Sequence, residues 1–222
     1  MSASLVRLLQ LASPALPVGA YTYSQGLEWA VESGAVRDEA GALQWIGGCL
    51  QYGVGRFEAV YLAHMLRAWQ QDEPVRLAEL DSEFIASRET AELRVETLQM
   101  GHSLARLLAD LPEFPKQRLE GFAEPSFPLA WSCAATVWGL EPKAAVAAYL
   151  WAWAENQVMA AVKAIPLGQT AGQRLLLALG ARLPELAGAA AEAALASSHN
   201  YLPAFAIASS RHETQYTRLF RS

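Results

Sequence analysis

A chain of 222 residues with 53% hydrophobic content can bury a sizeable core, which excludes disorder over most of its length. A formal net charge of -5 and a pI near 5.4 exclude a general affinity for nucleic acid or for an anionic membrane surface, both of which need clustered positive charge. Cys49 and Cys133 stand far apart in apolar settings with no secretory leader pattern before them, so they read as two buried free thiols of a cytoplasmic protein.

In chain order, Leu5, Val6, Leu8, Leu9 and Leu11 make a short apolar helix that Ser13-Pro14 stops, because proline disfavours helix in the residue before it. Residues 14–28 then combine Pro14, Pro17, Gly19, Tyr21, Tyr23 and Gly26. Two readings fit this stretch: an ordered loop entering a helix at Ser24 that Gly34 terminates, or a binding surface. Asp38 caps the next helix, which runs through Leu43, Ile46 and Leu50 until Gly53 and Gly55 bend the path towards Phe57, Val60, Tyr61, Met65 and Leu66. Pro74 opens a helix with Leu77, Leu80, Phe84 and Ile85 inward and Glu79, Asp81 and Glu83 outward. Arg88 and Glu92 are spaced for an intrahelical ion pair worth roughly 0.2–0.5 kcal/mol. The charge-rich run 88–96 is expected to be a solvated face.

Residues 111–120, with Pro112 and Pro115, form a connector, and Phe127-Pro128 opens a helix carrying Trp131, Val137 and Trp138. The tryptophans read as core. The dominant element is a helix over residues 143–165, preceded by Pro142 and stopped by Pro166, with Val146, Tyr149, Leu150, Trp153, Val158, Ala161 and Ile165 at helical spacing. Its length approaches that of a bilayer span, but Glu155, Asn156, Gln157 and Lys163 interrupt it, so it belongs in a protein core. A Pro-Leu-Gly-Gln turn and a Thr170 cap lead to the run 175–179, closing a helix hairpin. Pro184 starts an alanine-rich helix ending near Ser197. Nowhere does strand-like alternation compete with helical spacing, which predicts an all-α fold: a single domain over residues 1–222, a bundle of roughly ten helices around the buried hairpin.

The last stretch differs in character. Arg211, Arg218 and Arg221 stand beside Tyr216, Leu219 and Phe220, a mixture of arginine and large apolar groups enriched at protein interfaces. A frayed tail and an interface are equally compatible with it.

Catalytic motifs fail to assemble. Gly101-His102-Ser103-Leu104-Ala105 lacks the second glycine of a nucleophile elbow and follows no strand. His212-Glu213 begins like a zinc-binding His-Glu-x-x-His but has Tyr216 where the second ligand belongs, and His64, His102 and His199 are scattered. Gly168 and Gly172 do not form a phosphate-binding loop. The chain is therefore expected to have no catalytic residues, no metal ligands and no cofactor of its own. An alternative is a helical enzyme or apolar-ligand binder with its pocket among the tryptophans. A helix-turn-helix regulator conflicts with the acidic balance.

Three separated blocks carry a resemblance: residues 13–34 (SPALPVGAYTYSQGLEWAVESG), 162–174 (VKAIPLGQTAGQR) and 210–222 (SRHETQYTRLFRS). They resemble the UreF family of urease accessory proteins, and the Arg88-Glu89-Thr90 and Met100-Gly101 steps are similar as well. The resemblance implies an all-helical homodimer without nucleotide chemistry. Its implied task is to bridge the scaffold protein UreD (also called UreH) and the GTPase UreG in delivering nickel to apo-urease. It further implies a partner-binding tail over residues 209–222, in which Arg211 and Glu213 contact a partner and Tyr216, Arg218, Leu219, Phe220 and Arg221 anchor to UreD. Pro17, Gly19, Tyr23, Ser24 and Glu28 are expected to shape a surface near that contact or near the contact with UreG. Lys163, Pro166, Gly168, Gln169 and Gln173 either face UreG, line a nickel passage or simply close the hairpin. Arg88, Arg174 and Arg211 are open candidates for an arginine acting on GTP hydrolysis.

Overall fold

The computed structural model describes residues 3–222. Among them are twelve α-helices, a turn of π-helix, two short 3₁₀ segments and no strand. The fold is all-α and forms one compact domain, as the hydrophobic spacing predicts.

Helix α1 spans Ala3–Leu11, α2 Leu27–Glu32 and α3 Glu39–Gly48, the last capped by Asp38, whose Oδ1 accepts from Gly41 N at 2.8 Å. The π turn at Cys49–Val54 is the bend anticipated from Gly53 and Gly55. It leads into α4 (Glu58–Gln70), α5 (Pro74–Ala86) and the long α6 (Ala91–Asp110), which Thr90 caps. A single turn, α7 (Gln117–Glu120), interrupts the connector before α8 (Phe127–Val137). Then follow α9 (Pro142–Ala164), α10 (Gln169–Gly180), α11 (Leu183–Glu192) and α12 (Pro203–His212).

Two hub helices organise the packing. Helix α9 is covered by α10, α11, α4, α2 and α3, while α4 also packs on α8, α5 and α11, and α8 lies along α6. Val146, Tyr149, Leu150, Val158 and Ala161 of α9 and Ile165 just after it are buried as predicted, and Trp153 is half-buried. The crossing of α6 on α8 depends on Gly101, where a Cβ would stand 2.0 Å from Pro125 O. No helix is long and apolar enough to cross a membrane among the described residues. Both cysteines are buried and free, and burial pushes each thiol up to about 12, so neither is a nucleophile near neutrality.

Several local expectations are corrected. Helix α2 begins at Leu27 rather than Ser24, because Gln25 (φ 53) and Gly26 (φ 80) are both left-handed. Thr170 lies inside the first turn of α10, whose cap is Gly168. Asp81 points inward, where its Oδ1 accepts from Ser126 N at 3.1 Å and burial raises its pKa. Arg88 precedes α6 and makes no intrahelical pair with Glu92. Instead its Nη1 donates to Glu58 at 2.8 Å, and its guanidinium lies 4.4 Å from the Phe84 ring centre. The run 88–96 is thus solvated on one side only: Glu89, Ala91, Arg94 and Val95 are exposed, while Thr90, Leu93 and Glu96 are buried.

Candidate functional site

The tail after α12 folds back into a polar slot between α2, α6 and the 3₁₀ turn at Ala20–Thr22. Glu28 on α2 is the principal receptor. It is buried, and its two oxygens accept from Leu219 N at 2.7 Å and Phe220 N at 3.0 Å. The following backbone continues the docking: Arg221 N donates to Thr22 O at 2.7 Å and Ser24 N to Ser222 O at 2.7 Å. Ser222 Oγ donates to Glu96 Oε2 at 3.0 Å, and Gln25 Nε2 occupies the other Glu96 oxygen at 2.7 Å.

These bonds explain the unusual backbone before α2. Left-handed Gln25 turns its amide inward, where it also accepts from Trp153 Nε1 at 2.8 Å, so α9 and α6 hold the strained residue from both sides. Left-handed Gly26 lets α12 approach, because a Cβ there would lie 2.7 Å from Ser209 N.

A second layer of charge lies above the slot. His212, fully buried, bridges two carboxylates, with Nδ1 2.7 Å from Glu92 Oε2 and Nε2 3.3 Å from Glu28 Oε2. Arg218 Nη1 donates to Glu92 Oε1 at 2.7 Å, and Glu213 accepts from Ala91 N at 2.8 Å at the start of α6, where a carboxylate complements the helix dipole. Burial pushes Glu96 up to about 7, against the lowering effect of its Gln25 and Ser222 donors.

The structure sorts the predicted residues into two sets. Tyr23, Ser24, Glu28 and Phe220 are buried in the chain's own interior, with Tyr23 donating its hydroxyl to Gln99 at 2.6 Å. Arg211, Glu213, Tyr216, Arg218, Leu219 and Arg221 are exposed on the docked segment. Pro17, Gly19 and Tyr23 line an open cleft together with Arg221. Lys163 reaches the tail from the end of α9, its Nζ 5.8 Å from the Phe220 ring centre. Pro166, Gly168, Gln169 and Gln173 are exposed around the hairpin turn beyond it. Of the candidate arginines, Arg88 is buried against Glu58, Arg174 is engaged by both oxygens of Glu39, and Arg211 is exposed.

Sequence reasoning missed Gln25, Glu92, Glu96 and His212. The available signal was that Glu92 and Glu96 share a helical face with Leu93, Thr97 and Met100, a polar pair on an apolar stripe. Among the described residues no group of three or more His, Cys, Asp or Glu is placed to hold a metal ion.

The chain is thus an all-helical protein in which Glu28, Glu96 and His212 hold the terminal segment against α2 and α6. The family model described as UreF matches residues 36–180, well over half of the chain. Urease accessory protein UreF of Azoarcus sp. (strain BH72) is 60% identical over 223 residues, covering 98% of this chain and 95% of the relative. Its counterpart in Dechloromonas aromatica (strain RCB) is 57% identical, covering 98% and 97%, and that of Methylobacillus flagellatus is 48% identical, covering 100% and 99%. The chain belongs to the UreF family of urease accessory proteins.

Proposed function

We propose that this chain is a non-catalytic bridge in urease maturation. It joins the scaffold protein UreD (UreH) to the nickel-carrying GTPase UreG and brings both to apo-urease, as a cytoplasmic homodimer that uses neither nucleic acid nor a membrane. The observation that carries the reading is the division of labour within the tail. Phe220 and Ser222 are held inside, while Tyr216, Arg218, Leu219 and Arg221 are displayed outside. A large exposed aromatic, an exposed leucine and two arginines on a backbone fixed by Glu28 form a preorganised contact surface, which lowers the ordering cost of binding.

In this reading Tyr216 and Leu219 fill pockets on UreD, and Arg211, Arg218 and Arg221 close the rim. Pro17, Gly19 and Tyr23 continue that surface through the cleft they share with Arg221. Lys163 with Pro166, Gly168, Gln169 and Gln173 forms a second surface for UreG.

Co-purification from cells expressing all three proteins tests the assignment. The double variant Tyr216→Ala/Leu219→Ala removes only exposed side chains, so the interior stays intact. It is expected to lose UreD, and Lys163→Ala to lose UreG, with unchanged helix content by circular dichroism. Retention of UreD by the double variant sinks the tail assignment, and an intact chain that captures neither protein sinks the bridge.

A further inference from the structure

Four carboxylates stand around the docked tail, and they are unequally balanced. Glu58 pairs with Arg88 Nη1 at 2.8 Å and accepts from Tyr149 OH at 2.7 Å. Glu92 is held by Arg218 and His212, each at 2.7 Å. Glu28 combines His212 at 3.3 Å with the amides of Leu219 and Phe220. Glu96 is the exception. Among the described residues it makes no ion pair, and its oxygens accept only from the neutral Gln25 Nε2 at 2.7 Å and Ser222 Oγ at 3.0 Å. A buried carboxylate without a cation is costly to keep ionised, so a proton is the counter-charge open to it.

Two boundaries of Glu96 decide what that proton does. On one side lies the tail, whose Ser222 is itself buried against it, so undocking would bring water to the carboxylate. On the other side Glu96 lines a cavity of about 210 Å³ together with Gln25 and Glu58. One water needs roughly 10–15 Å³ of such space, so the cavity has room for several and gives the proton a route to Glu96. The surrounding charges leave Glu96 the group that responds. Glu58 on α4 raises its pKa and Arg88, committed to Glu58, lowers it, while Glu155 and Lys163 of α9 line the cavity without pairing with it. Burial raises the Tyr23 and Tyr149 hydroxyls, so neither phenol ionises beside it near neutrality.

We propose that Glu96 is a proton-operated latch on the terminal segment: protonated, it lets the tail close over it, and ionised, it favours an open tail that admits water. Burial holds its docked-state pKa at about 7, and hydration in the open state returns it towards the ordinary carboxylate range. Docking is therefore strongest below that ordinary range and weakens as pH rises through 7. The latch belongs to the tail itself and holds whichever partner the outer face of the tail meets.

The test follows amide hydrogen exchange at Leu219 and Phe220 of the intact protein, corrected for intrinsic rates, from about pH 5.5 to about pH 8.5. Protection should fall about tenfold per pH unit as pH approaches 7 and level off above it, because only the docked state holds the proton in that interval. The ¹³C resonance of the Glu96 carboxyl should titrate near 7 in the same protein, a readout that needs no variant. Glu96→Gln, a neutral side chain that keeps an acceptor for Gln25, should abolish the slope. His212 is the other group of the slot that can change charge near neutrality. A slope that persists in Glu96→Gln assigns the response to His212 and overturns the proposal. A Glu96 carboxyl that titrates in the ordinary range overturns it as well. Protection at Leu219 and Phe220 equal to that of Leu150 on α9 at every pH overturns it too, since the tail would then open only with the whole fold.

Discussion

The α9–α10 hairpin and the docked tail meet where Lys163 approaches Phe220, yet they are held by opposite means. The hairpin is fixed by apolar burial: α9 packs on α10, and Leu150, Val158 and Ala161 on the one and Leu175 and Leu179 on the other are buried in one continuous core. Such burial is non-directional and roughly proportional to area, so it tolerates small shifts of register. The tail buries a single large apolar side chain, Phe220, and is otherwise fixed by a few directional hydrogen bonds to Glu28 and Glu96, groups that are costly to bury unless every donor is in place. The contrast teaches that the same fold uses cheap, forgiving cohesion for its scaffold and exacting, all-or-none cohesion for the segment that displays its contact residues.

The largest effect is expected in the scaffold. Leu150→Ala should cost about 2–5 kcal/mol by denaturant titration, the usual range for a large-to-small change at a fully buried site, and should leave residues 219 and 220 docked at temperatures where the protein remains folded. Undocking that accompanies this variant would erase the distinction between the two regions.

Glu28→Ala strands two backbone donors and the His212 ring at once, and should cost roughly 2–4 kcal/mol. Its more telling readout is local. Amide exchange at Leu219 and Phe220 should accelerate by at least an order of magnitude while α9 stays protected. Equal acceleration in both places would mean that the tail and the core unfold as one unit.

Glu96 sharpens the contrast through pH. Burial raises its folded-state pKa from 4.5 to about 7, so the folded state holds the proton more tightly than the unfolded chain does. The corresponding stability is fully present below about pH 4.5 and is lost as pH rises through 7. Glu96→Gln, which keeps an acceptor for Gln25 and removes the charge, should flatten this dependence and add on the order of 1–3 kcal/mol at pH 8. Unchanged pH dependence between about 4.5 and 7 in the variant would show that another group dominates. Smallest of all, Tyr216→Ala should change stability by less than about 0.5 kcal/mol, because the side chain is exposed and touches no buried feature.

The hairpin was legible because its signals are local. Pro142, the apolar spacing of 143–165 and Pro166 define α9 to within a residue at each end. Asp38 as a cap and the bend at Gly53 and Gly55 were readable for the same reason. The site was legible only in part. Glu28, Ser24 and Phe220 stood out by resemblance, but their meeting spans nearly the whole chain, and no local pattern encodes it. Glu92 and Glu96 were assigned to a solvated face because charge usually goes there; a partner more than a hundred residues away reverses that expectation. In the sequence His212 reads only as half of a metal motif, whereas its partners, Glu28 and Glu92, are carboxylates on two other helices.

The link between Glu28 and Leu219 has a consequence for biosynthesis. The two residues are separated by 191 positions, so at a translation rate of about 5–20 residues per second Glu28 leaves the ribosome roughly 10–40 s before its donors exist. Throughout that interval its carboxylate must remain hydrated, which keeps the N-terminal segment from settling against α6. The nascent chain can therefore condense around α4, α8 and α9 first, and the slot around Glu28 closes last, when residues 219 and 220 reach a receptor made at the outset.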